Sequence, residues 1–414
     1  MTNGYVLFAG IDYGSEFHQV CLLDREGGKL AEFRIEHSAK GVDGLVRSLL
    51  QHGHSEPNRC AVAIELTHSA VIETLLERGF QVFAINPKQL DRFRDRYTAA
   101  GSKDDRLDAF VQADSLRTDA RHFRQLQLDE PLVIRLRELS RVDSELQKEF
   151  RQLASRLRAL LHRFFPQLLK LCPAADEAWL WALLLTAPTP HQARRLRKNQ
   201  LSRILREHRI RRISSEQLRL ALREPSFELA PGSLEAACEH TQLLLPRLQL
   251  VNQQLRDCRR RIDEVLQELC REGTPEGESQ GHRDAEILLS IPGAGRIVGA
   301  TMLSEASQPL AQRDYHTLRA HTGIAPVTRR SGKTTRVLMR RACNPRLREA
   351  VYHWSRTSIQ NDDHCRAFYA RQRALGHSHA RALRALGDRL LRILIAALRT
   401  QSLYDPSRRG AHSS

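Results

Sequence analysis

The stretch YVLFAGID (residues 5–12) opens the series of elements that decides the fold. It is a short run rich in β-branched and aromatic residues, and two similar runs follow at HQVCLLD (18–24) and LAEFRIEH (30–37). The turn sequences YGSE and REGG separate the three runs. We therefore predict three antiparallel strands that are joined by tight turns.

The next fifty residues alternate between helix and strand signals. Residues 39–53 and 70–79 have helical spacing, whereas CAVAIEL (60–66) and QVFAINP (81–87) are short, apolar runs typical of strands buried on both faces. A meander followed by strand–helix alternation is the order of the ribonuclease H-like fold, an α/β architecture. We predict such a domain over residues 1–128.

The apolar period changes to a heptad beyond this domain. Ten positions follow steps of four and three residues: Leu132, Leu136, Leu139, Asp143, Leu146, Phe150, Leu153, Leu157, Leu160 and Phe164. Seven more do so later: Leu248, Val251, Leu255, Cys258, Ile262, Val265 and Leu269. These seams predict long coiled-coil helices within residues 129–272, pairing with each other or across a dimer, with a plain helical bundle as the alternative. Asp143 either fixes their register or is solvated.

The segment between the two seams, residues 166–240, reads as an irregular basic insertion. Within it, residues 194–213 form a basic helical segment, for which we predict phosphate contacts through Arg194, Arg195, Arg197 and Lys198. A solvated helix face is the alternative. Residues 271–282 have the composition of a linker, residues 283–402 predict an α-rich C-terminal domain, and residues 403–414 predict a disordered tail.

Charge and cysteine usage limit the class of protein. The 414 residues carry a formal charge of +17, and arginine greatly outnumbers lysine, so we expect a polyanionic partner such as nucleic acid. The eight cysteines include no CxxC pair, which is typical of reduced cytosolic thiols. The sequence shows neither a signal peptide nor an apolar run of spanning length, so we predict a cytoplasmic protein without a membrane partner.

Acidic residues stand at the ends of two predicted buried strands. Asp12 ends the first strand and Glu65 lies near the end of CAVAIEL, and these strands are neighbours in a ribonuclease H-like sheet. A carboxylate at the end of a buried strand is costly unless it is paired, metal-bound or exposed to solvent. Exposure is the alternative for each acid taken alone.

The segment GSKDDRLDAF (101–110) adds three aspartates at a predicted helix start. Ser102 as N-cap, with Asp105 three residues later, explains Asp104 and Asp105 as an acidic first turn, but it does not explain Asp108. Helical spacing brings Asp108 together with either Asp104 or Asp105. Such a carboxylate cluster suits Mg²⁺, and two ions could serve phosphoryl transfer.

A second candidate site follows the linker. Residues 287–306 read as two apolar helices around a Pro-Gly-x-Gly turn, which could bind phosphate or simply connect the helices. Further on, Ser331 and Gly332 form a predicted loop whose basic neighbours are Arg329, Arg330, Lys333 and Arg336. That loop would hold a phosphate against a hydroxyl, although Ser331 by itself reads as a turn residue.

These motifs resemble a known family. GIDYG, AIELTHS and KDDRLDA, with the later GIAP, Ser-Gly and NPRLR stretches, are similar to the DEDD transposases of bacterial insertion sequences, which include Piv-type invertases and bridge-RNA-guided recombinases. The resemblance implies a RuvC-like N-terminal domain and a Mg²⁺-binding tetrad of Asp12, Glu65, Asp105 and Asp108. It also implies that Ser331 is the nucleophile, joined covalently to DNA at a composite site with the carboxylates.

The resemblance implies a site-specific DNA recombinase of an insertion sequence. Its partners would be double-stranded DNA of the element ends and target, a guide RNA, and copies of itself in a dimer or tetramer associated with the bacterial nucleoid. The first alternative is a Mg²⁺-dependent junction nuclease that uses water as the nucleophile. GIDYGS also resembles the first phosphate loop of actin-like sugar kinases, and a non-enzymatic nucleic-acid scaffold is the fourth interpretation.

Overall fold

The computed structural model of the chain describes residues 4–66, 69–97, 104–230, 232–271, 281–332 and 334–406, without the side chains of residues 281–283. The chain divides into two compact units, Met1–Glu130 and Pro131–Ser414. Residues 272–280 of the predicted linker and the tail beyond residue 406 lie outside the described residues, whereas residues 271, 281 and 282 belong to the flanking helices. The predicted division of the second unit into separate domains stays a prediction.

The first unit is built on a mixed six-stranded sheet. Its strands are β1 (Leu7–Tyr13), β2 (Phe17–Leu23), β3 (Lys29–Glu36), β4 (Cys60–Ile64), β5 (Gln81–Ala84) and β6 (Arg124–Gln125). They lie in the order β3-β2-β1-β4-β5-β6. The predicted meander is confirmed, because β1–β2 and β2–β3 are antiparallel, while β4 pairs parallel to β1 and β5 parallel to β4. This order is compatible with a ribonuclease H-like domain.

Helices cover both faces of this sheet. They are α1 (Ala39–His52), α2 (Ala70–Glu77), α3 (Pro87–Arg94) and α4 (Asp105–Asp119), with 3₁₀ turns at Pro57–Arg59 and Ala120–His122. Helices α1 and α2 pack on the face that carries Leu7, Ala9 and Ile11. Helices α3 and α4 pack on the opposite face, against Phe8 and the small side chains of β4. The sheet is therefore the middle layer of a three-layer unit.

The second unit is organised by two long helices. These are α5 (Pro131–Phe164) and α11 (Ser233–Arg271), and between them lie α6 (Gln167–Leu171), α7 (Ala178–Thr186), α8 (Pro190–Arg194), α9 (Lys198–Glu207) and α10 (Ser215–Arg223). The ion pairs Arg135–Glu268 and Arg247–Glu149 show that α5 and α11 run antiparallel and pair within the chain. All seven residues of the second seam are buried. Supercoiling of the pair stays a prediction.

Asp143, the polar residue in the first seam, has a partner on the second helix. Its carboxylate accepts from Arg259 Nε at 2.8 Å, and the same guanidinium donates to the side chain of Gln147 at 2.6 Å. An ion pair at one level of a heptad seam distinguishes the correct alignment from those shifted by a heptad. The interpretation of Asp143 as a solvated residue is therefore wrong, because its side chain is 6% exposed.

The insertion between the long helices is folded, which corrects the prediction of an irregular segment. Helices α6–α10 bury an apolar cluster with the adjoining ends of α5 and α11, and this cluster includes Trp179 and Trp181. The insertion was misread because its helices are short and prolines separate several of them, so no helical period persists over a normal window.

The remainder of the second unit consists of helices and one β-ribbon. Its elements are α12 (Gly281–Ser290), α13 (Arg296–Glu305), α14 (Ser307–Ala311), α15 (Tyr315–His321), β7 (Val327–Ser331), β8 (Thr334–Leu338), α16 (Pro345–Asn361), α17 (Asp363–Ala374) and α18 (His379–Arg399). The predicted pair of helices around the Pro-Gly-x-Gly turn is confirmed, as α12 and α13. Its Pro292 carbonyl accepts from Trp354 Nε1 and Ser358 Oγ, at 3.1 and 2.8 Å. The turn is therefore packed on α16.

A buried carboxylate connects α13 to α5 and α16. Glu305 accepts from Arg141 and Arg346 at 3.1 and 3.0 Å, and from the Asn344 amide at 3.0 Å. Asn344 also caps α16, and Arg346 donates to Ser140 on α5 at 2.7 Å. The NPRLR stretch thus has a structural role that the sequence did not reveal. No helix in the described part of the chain has the length and apolar character needed to cross a bilayer.

Removal of Arg259 should cost more stability than removal of its neighbour Arg260. In Arg259→Met, buried Asp143 loses its cation, so we expect the free energy of unfolding to fall by about 2 kcal/mol. Arg260 is 62% exposed and pairs with Glu264, so Arg260→Met should change it by less than about 0.5 kcal/mol. Urea denaturation followed by circular dichroism measures both. Equal losses would contradict the register role, whereas adding Asp143→Leu should rescue Arg259→Met.

The Glu305 network should make the second unit sensitive to acid. Burial raises the pKa of Glu305, but hydrogen bonds and charge from Arg141, Asn344 and Arg346 outweigh it and hold the pKa below the ordinary value of 4.5. A carboxyl with a depressed folded-state pKa contributes stability above its unfolded pKa and loses it as the pH falls. Glu305→Gln should therefore be less stable at pH 7 and lose less stability below about pH 4.5.

The acid limb of thermal unfolding between pH 7 and pH 3 tests this expectation. Glu264→Gln, which removes a carboxylate from an exposed ion pair on α11, is the matched control and should keep the wild-type acid limb. A Glu305→Gln protein with an unchanged acid limb would contradict the prediction.

Candidate active site

Two of the predicted site residues lie at the same edge of the sheet. Strands β1 and β4 are parallel, and their register pairs Ile11 with Ile64. Asp12 and Glu65 are the next residues of the two strands, and both are partly exposed. Residues that follow a parallel register pair lie side by side at the carboxyl ends of their strands, so the two carboxylates are neighbours.

Strand alternation assigns both acids to the face that α4 covers. Phe8 and Ala63 on that face pack with the apolar side of α4, and Asp12 and Glu65 continue the alternation. The helix lies unusually close at Gly10, where an added Cβ would overlap the carbonyl oxygen of Ala109 and lie 2.6 Å from the nitrogen of Ala113. Only glycine allows this approach at Gly10.

A glutamine of α4 fixes the helix to both strand ends. With its amide nitrogen turned to the sheet, Gln112 donates to the carbonyls of Ile11 and Ala63, at 2.8 and 3.2 Å. Asp108 lies one helical turn before Gln112 and is only 1% exposed. The structure thus brings Asp12, Glu65 and Asp108 to one end of the β1–β4 pair, on the same face of the sheet.

The remaining aspartates occupy the start of α4. Asp104 is the N-cap, and its side chain accepts from the backbone nitrogen of Arg106 at 3.1 Å. Ser102, the predicted N-cap, lies outside the described residues, and the capping role belongs to Asp104. Asp105 is exposed in the first turn. Asp108 and Gln112 lie on the buried side of α4, whereas Phe110 is only partly buried.

Asp108 has a cationic partner on α3. Arg94 Nε donates to Asp108 at 2.6 Å, and Arg94 Nη1 donates to Asp91 at 3.0 Å. The side chains of Arg94 and Asp108 are 17% and 2% exposed, so this ion pair is largely removed from water. The hydrogen bond to Asp108 is the main cause of the raised pKa of Arg94. Arg94 therefore holds the Asp108 carboxylate in one orientation.

The chemistry of these acids fits a hard cation. Mg²⁺ prefers oxygen ligands and is usually held by one or two carboxylates, with water and substrate phosphate completing its shell. A closed protein cage is not formed here. Within the described residues, only Cys172, Asp176 and Glu177 form a group of three potential ligands within 4.8 Å of one another. The four predicted acids do not form such a compact group, and the metal-binding tetrad stays a prediction.

The Cys172 group itself is a poor metal site. Burial raises the pKa of the Cys172 thiol to about 11, so the sulfur is a neutral thiol near pH 7. Glu177 is engaged with Arg212 and with Trp179 Nε1. The group therefore stabilises the insertion rather than offering an open coordination site.

Ser331 lies at the tip of a β-ribbon rather than in a loop. It ends β7 and pairs with Thr334 of β8, and the turn between them begins with Gly332 at φ +53°. A positive φ at this position is typical of the two-residue turns that match the twist of a hairpin. From Thr328 to Leu338, the described residues of the ribbon are exposed. The hydroxyl of Ser331 is thus presented to solvent on a narrow projection.

Basic side chains crowd this ribbon. Arg329 and Arg336 are directly opposite each other in the register, and Arg330 is opposite Thr335. Like charges placed opposite each other destabilise a strand pair unless an anion lies between them. Lys333, the fourth predicted phosphate contact, lies outside the described residues.

The four basic residues predicted in the insertion are all exposed, but they differ in their contacts. Arg194 ends α8 and donates to the Glu224 carbonyl at 2.7 Å, so its guanidinium stabilises the insertion. Arg195 contacts the ring of His191 at 3.2 Å. Arg197 and Lys198 lie at the start of α9. These four residues stay predictions as nucleic-acid contacts.

Arg94 and Gln112 were missed from the sequence. Gln112 had a detectable signal, because it is a second polar residue one turn after Asp108 within a largely buried stretch. Arg94 had none, since its partner is fourteen residues away and on another helix.

Comparison with known families gives two matches. A family model described as transposase, of the DEDD type named after IS110, matches residues 9–166. A second model, described as the transposase IS116/IS110/IS902 family, matches residues 285–370. The first match contains Asp12, Glu65, Asp105 and Asp108, and the second contains Ser331.

Individual relatives agree with these matches. The mini-circle putative transposase for IS117 of Streptomyces coelicolor is 32% identical over 414 residues, which covers 98% of this chain and 97% of that protein. The putative transposase y4uE of Sinorhizobium fredii is 46% identical over 216 residues, covering 52% of this chain and 60% of that protein. An uncharacterized 44.8 kDa protein of insertion element IS116 from Streptomyces clavuligerus is 28% identical over 97% of this chain and 96% of its own length.

Removal of Arg94 should destabilise the first unit and make its stability depend on divalent ions. Arg94→Met leaves Asp108 buried without a cation, which should cost about 3 kcal/mol in the free energy of unfolding. Because a cation near Asp108 would replace the lost charge, Mg²⁺ should raise the thermal midpoint of Arg94→Met more than that of the wild type.

Thermal unfolding with and without about 10 mM Mg²⁺ measures this difference, because this concentration roughly saturates a site with a millimolar dissociation constant. Arg92→Met, on the exposed side of α3, is the control and should behave like the wild type. The double variant Arg94→Met/Asp108→Asn should recover stability and lose the added Mg²⁺ response. Equal Mg²⁺ shifts in all four proteins would refute the assignment.

Proposed function

Since the chain belongs to the transposase family of insertion elements that includes IS110, IS116 and IS902, we propose that it is a site-specific DNA recombinase which cuts and rejoins DNA through a serine nucleophile. The observation that carries this proposal is the convergence of Asp12, Glu65 and Asp108 at the carboxyl ends of β1 and β4. Arg94 compensates only Asp108 among these acids in the contacts described above, and a bound cation would reduce the repulsion among the three carboxylates.

The carboxylates of Asp12, Glu65, Asp105 and Asp108 are proposed to hold Mg²⁺, as two ions. When bound, these ions would supply positive charge to the scissile phosphate and to the attacking and leaving oxygens. Arg94 orients Asp108 through one carboxylate oxygen. Asp105 is exposed to solvent in the first turn of α4, so its carboxylate is accessible to bound DNA.

Ser331 is proposed to attack the scissile phosphorus with its Oγ. A serine–phosphate bond forms as the phosphodiester bond to one sugar oxygen breaks, and the hydroxyl proton is transferred to that leaving oxygen. Arg329 and Arg336 neutralise charge on the phosphate from the opposed strands of the ribbon. Attack by the free sugar hydroxyl of a new strand reverses the step and releases Ser331, so the energy of the phosphodiester bond is retained.

Several finer assignments belong to the same proposal. The first unit is assigned a RuvC-like ribonuclease H fold, which its sheet order supports. The chain is assigned a catalytic domain at 1–128, coiled-coil helices within 129–272 and a transposase domain at 283–402. Strand exchange needs several cuts at once, so a dimer or tetramer on the bacterial nucleoid is proposed. A guide RNA is proposed from the family resemblance.

A Mg²⁺-dependent junction nuclease is the alternative function. It would use the same carboxylates with water as the nucleophile, and it needs no covalent intermediate. The exposed ribbon with its opposed arginines favours the recombinase, because a nuclease has no use for a hydroxyl surrounded by phosphate-binding groups.

A trapped reaction intermediate distinguishes the two functions. With a nicked DNA substrate that carries the ends of the element, the wild-type protein should form a covalent adduct, and protease digestion should leave a phosphoserine peptide at Ser331. Ser331→Ala should abolish both the adduct and strand exchange. Because only a surface hydroxyl is removed, its thermal midpoint should stay within about 1 °C of the wild type.

Thr335→Ala is the matched control, since it removes another exposed hydroxyl from the same ribbon. It should form the adduct. Strand exchange by Ser331→Ala would sink the serine mechanism, whereas retained hydrolysis without an adduct would select the junction nuclease.

A further inference from the structure

The second unit contains a groove that the serine ribbon and the carboxylates do not explain. Its floor is a polar side of α5 that begins at Asp143 and is bordered by Arg259 of α11, and its walls come from α13 and α16. We call it the α5 groove and define it by Lys148, Arg151 and Arg156 on the floor, with Thr301 and His353 on the walls. A smaller depression lined by Arg247 adjoins the groove and shares Lys148 and Arg156.

The floor of the α5 groove carries uncompensated positive charge. Lys148, Arg151 and Arg156 are exposed, and none of the three forms an ion pair within the described residues. The groove's other two cations are already engaged: Arg259 with Asp143, and Arg346 with Glu305. Glu349 on the wall lies 3.6 Å from His353. Within the described residues, Lys148, Arg151 and Arg156 therefore have no acidic partner, although Arg151 Nε donates to the Gln147 carbonyl at 3.2 Å.

The spacing of these cations suits a line of phosphates. Lys148 and Arg156 are eight residues apart, which is about 12 Å along the helix axis; Arg151 lies between them along the axis, and the three side chains span about 140° around the helix. Phosphates of one DNA strand follow each other about every 3.4 Å along the duplex axis, so the stripe covers about three of them. Glu145 and Glu149 line the adjoining depression, but Glu149 pairs with Arg247, and neither acid forms an ion pair with the three cations within the described residues.

We propose that the α5 groove binds the phosphodiester backbone of duplex DNA, through Lys148, Arg151 and Arg156. The choice of DNA rests on the proposed function, whereas the phosphate chemistry rests on the charge and shape of the groove alone. Contacts with phosphates hold the duplex in register without reading its sequence. The groove thus fixes DNA to the second unit independently of the reaction at Ser331.

Salt-dependent binding tests the groove. Fluorescence anisotropy would follow binding of the full-length protein to two labelled duplexes over a range of NaCl concentrations, in EDTA so that no strand is cut. One is a 40-bp DNA duplex of arbitrary sequence, a length of about four helical turns, and the other is an RNA duplex of the same sequence. For Lys148→Gln/Arg151→Gln/Arg156→Gln, the slope of log K against log[NaCl] on DNA should become shallower by about 2 to 3, and affinity near 0.1 M NaCl should fall at least about tenfold.

A control variant loses an equal number of positive charges, three, at other positions of the second unit. Arg203, Arg219 and Arg366 are each paired with an acid of their own helix, so Arg203→Gln/Arg219→Gln/Arg366→Gln should leave the slope unchanged. An unchanged slope in the groove variant, or equal losses in both variants, would overturn the proposal. A loss confined to the RNA duplex would overturn the choice of DNA.

Because binding is measured in EDTA, the proposal for the groove and the proposal for the recombinase can be refuted independently. A chain that never exchanges strands can still show the change in slope, and an active recombinase can show none. Thermal midpoints of both triple variants should match the wild type, since every altered side chain is on the surface.

Discussion

The close approach of α4 to the backbone of β1 is the constraint on which the candidate site depends. At Gly10 no side chain separates helix from strand, so the helix lies against the sheet over Gly10 and Ala63. Gln112 then reaches the carbonyls of both strands, and Asp108 is carried to the same end of the β1–β4 pair as Asp12 and Glu65. A larger residue at Gly10 would push α4, with Asp108 and Gln112, away from the sheet.

Buried acids in both units are paired with arginines. Asp108, Asp143 and Glu305 are each held by an arginine from a different element. Such a pair contributes little net stability relative to an apolar contact, but loss of one partner is costly, so it favours one arrangement of the elements over its competitors. The arginine-rich composition, which the sequence connects with phosphate, therefore also serves the interior of the protein.

The sequence predicted the sheet of the first unit well, because its strands and helices have clear periods and lie close in the chain. It also identified Asp12, Glu65 and Asp108 as acids with unusual positions. It could not predict the partners of these acids, since Arg94 and Gln112 are chosen by packing. It failed for the insertion, where short helices are held by a shared core around Trp179 and Trp181, and for Ser331, where strand pairing rather than composition makes the ribbon.

The length of the antiparallel pair of α5 and α11 sets the distance between the insertion and the rest of the second unit. Asp143 and Arg259 align the two helices at an internal level, and one end of the pair carries the folded insertion, 21 positions or about 32 Å beyond Asp143 at Phe164. Adding or deleting one heptad in both helices changes this length by about 10 Å and leaves each end unchanged. Evolution can therefore alter the reach of the insertion in discrete steps, without redesigning either of the two cores that the helices connect.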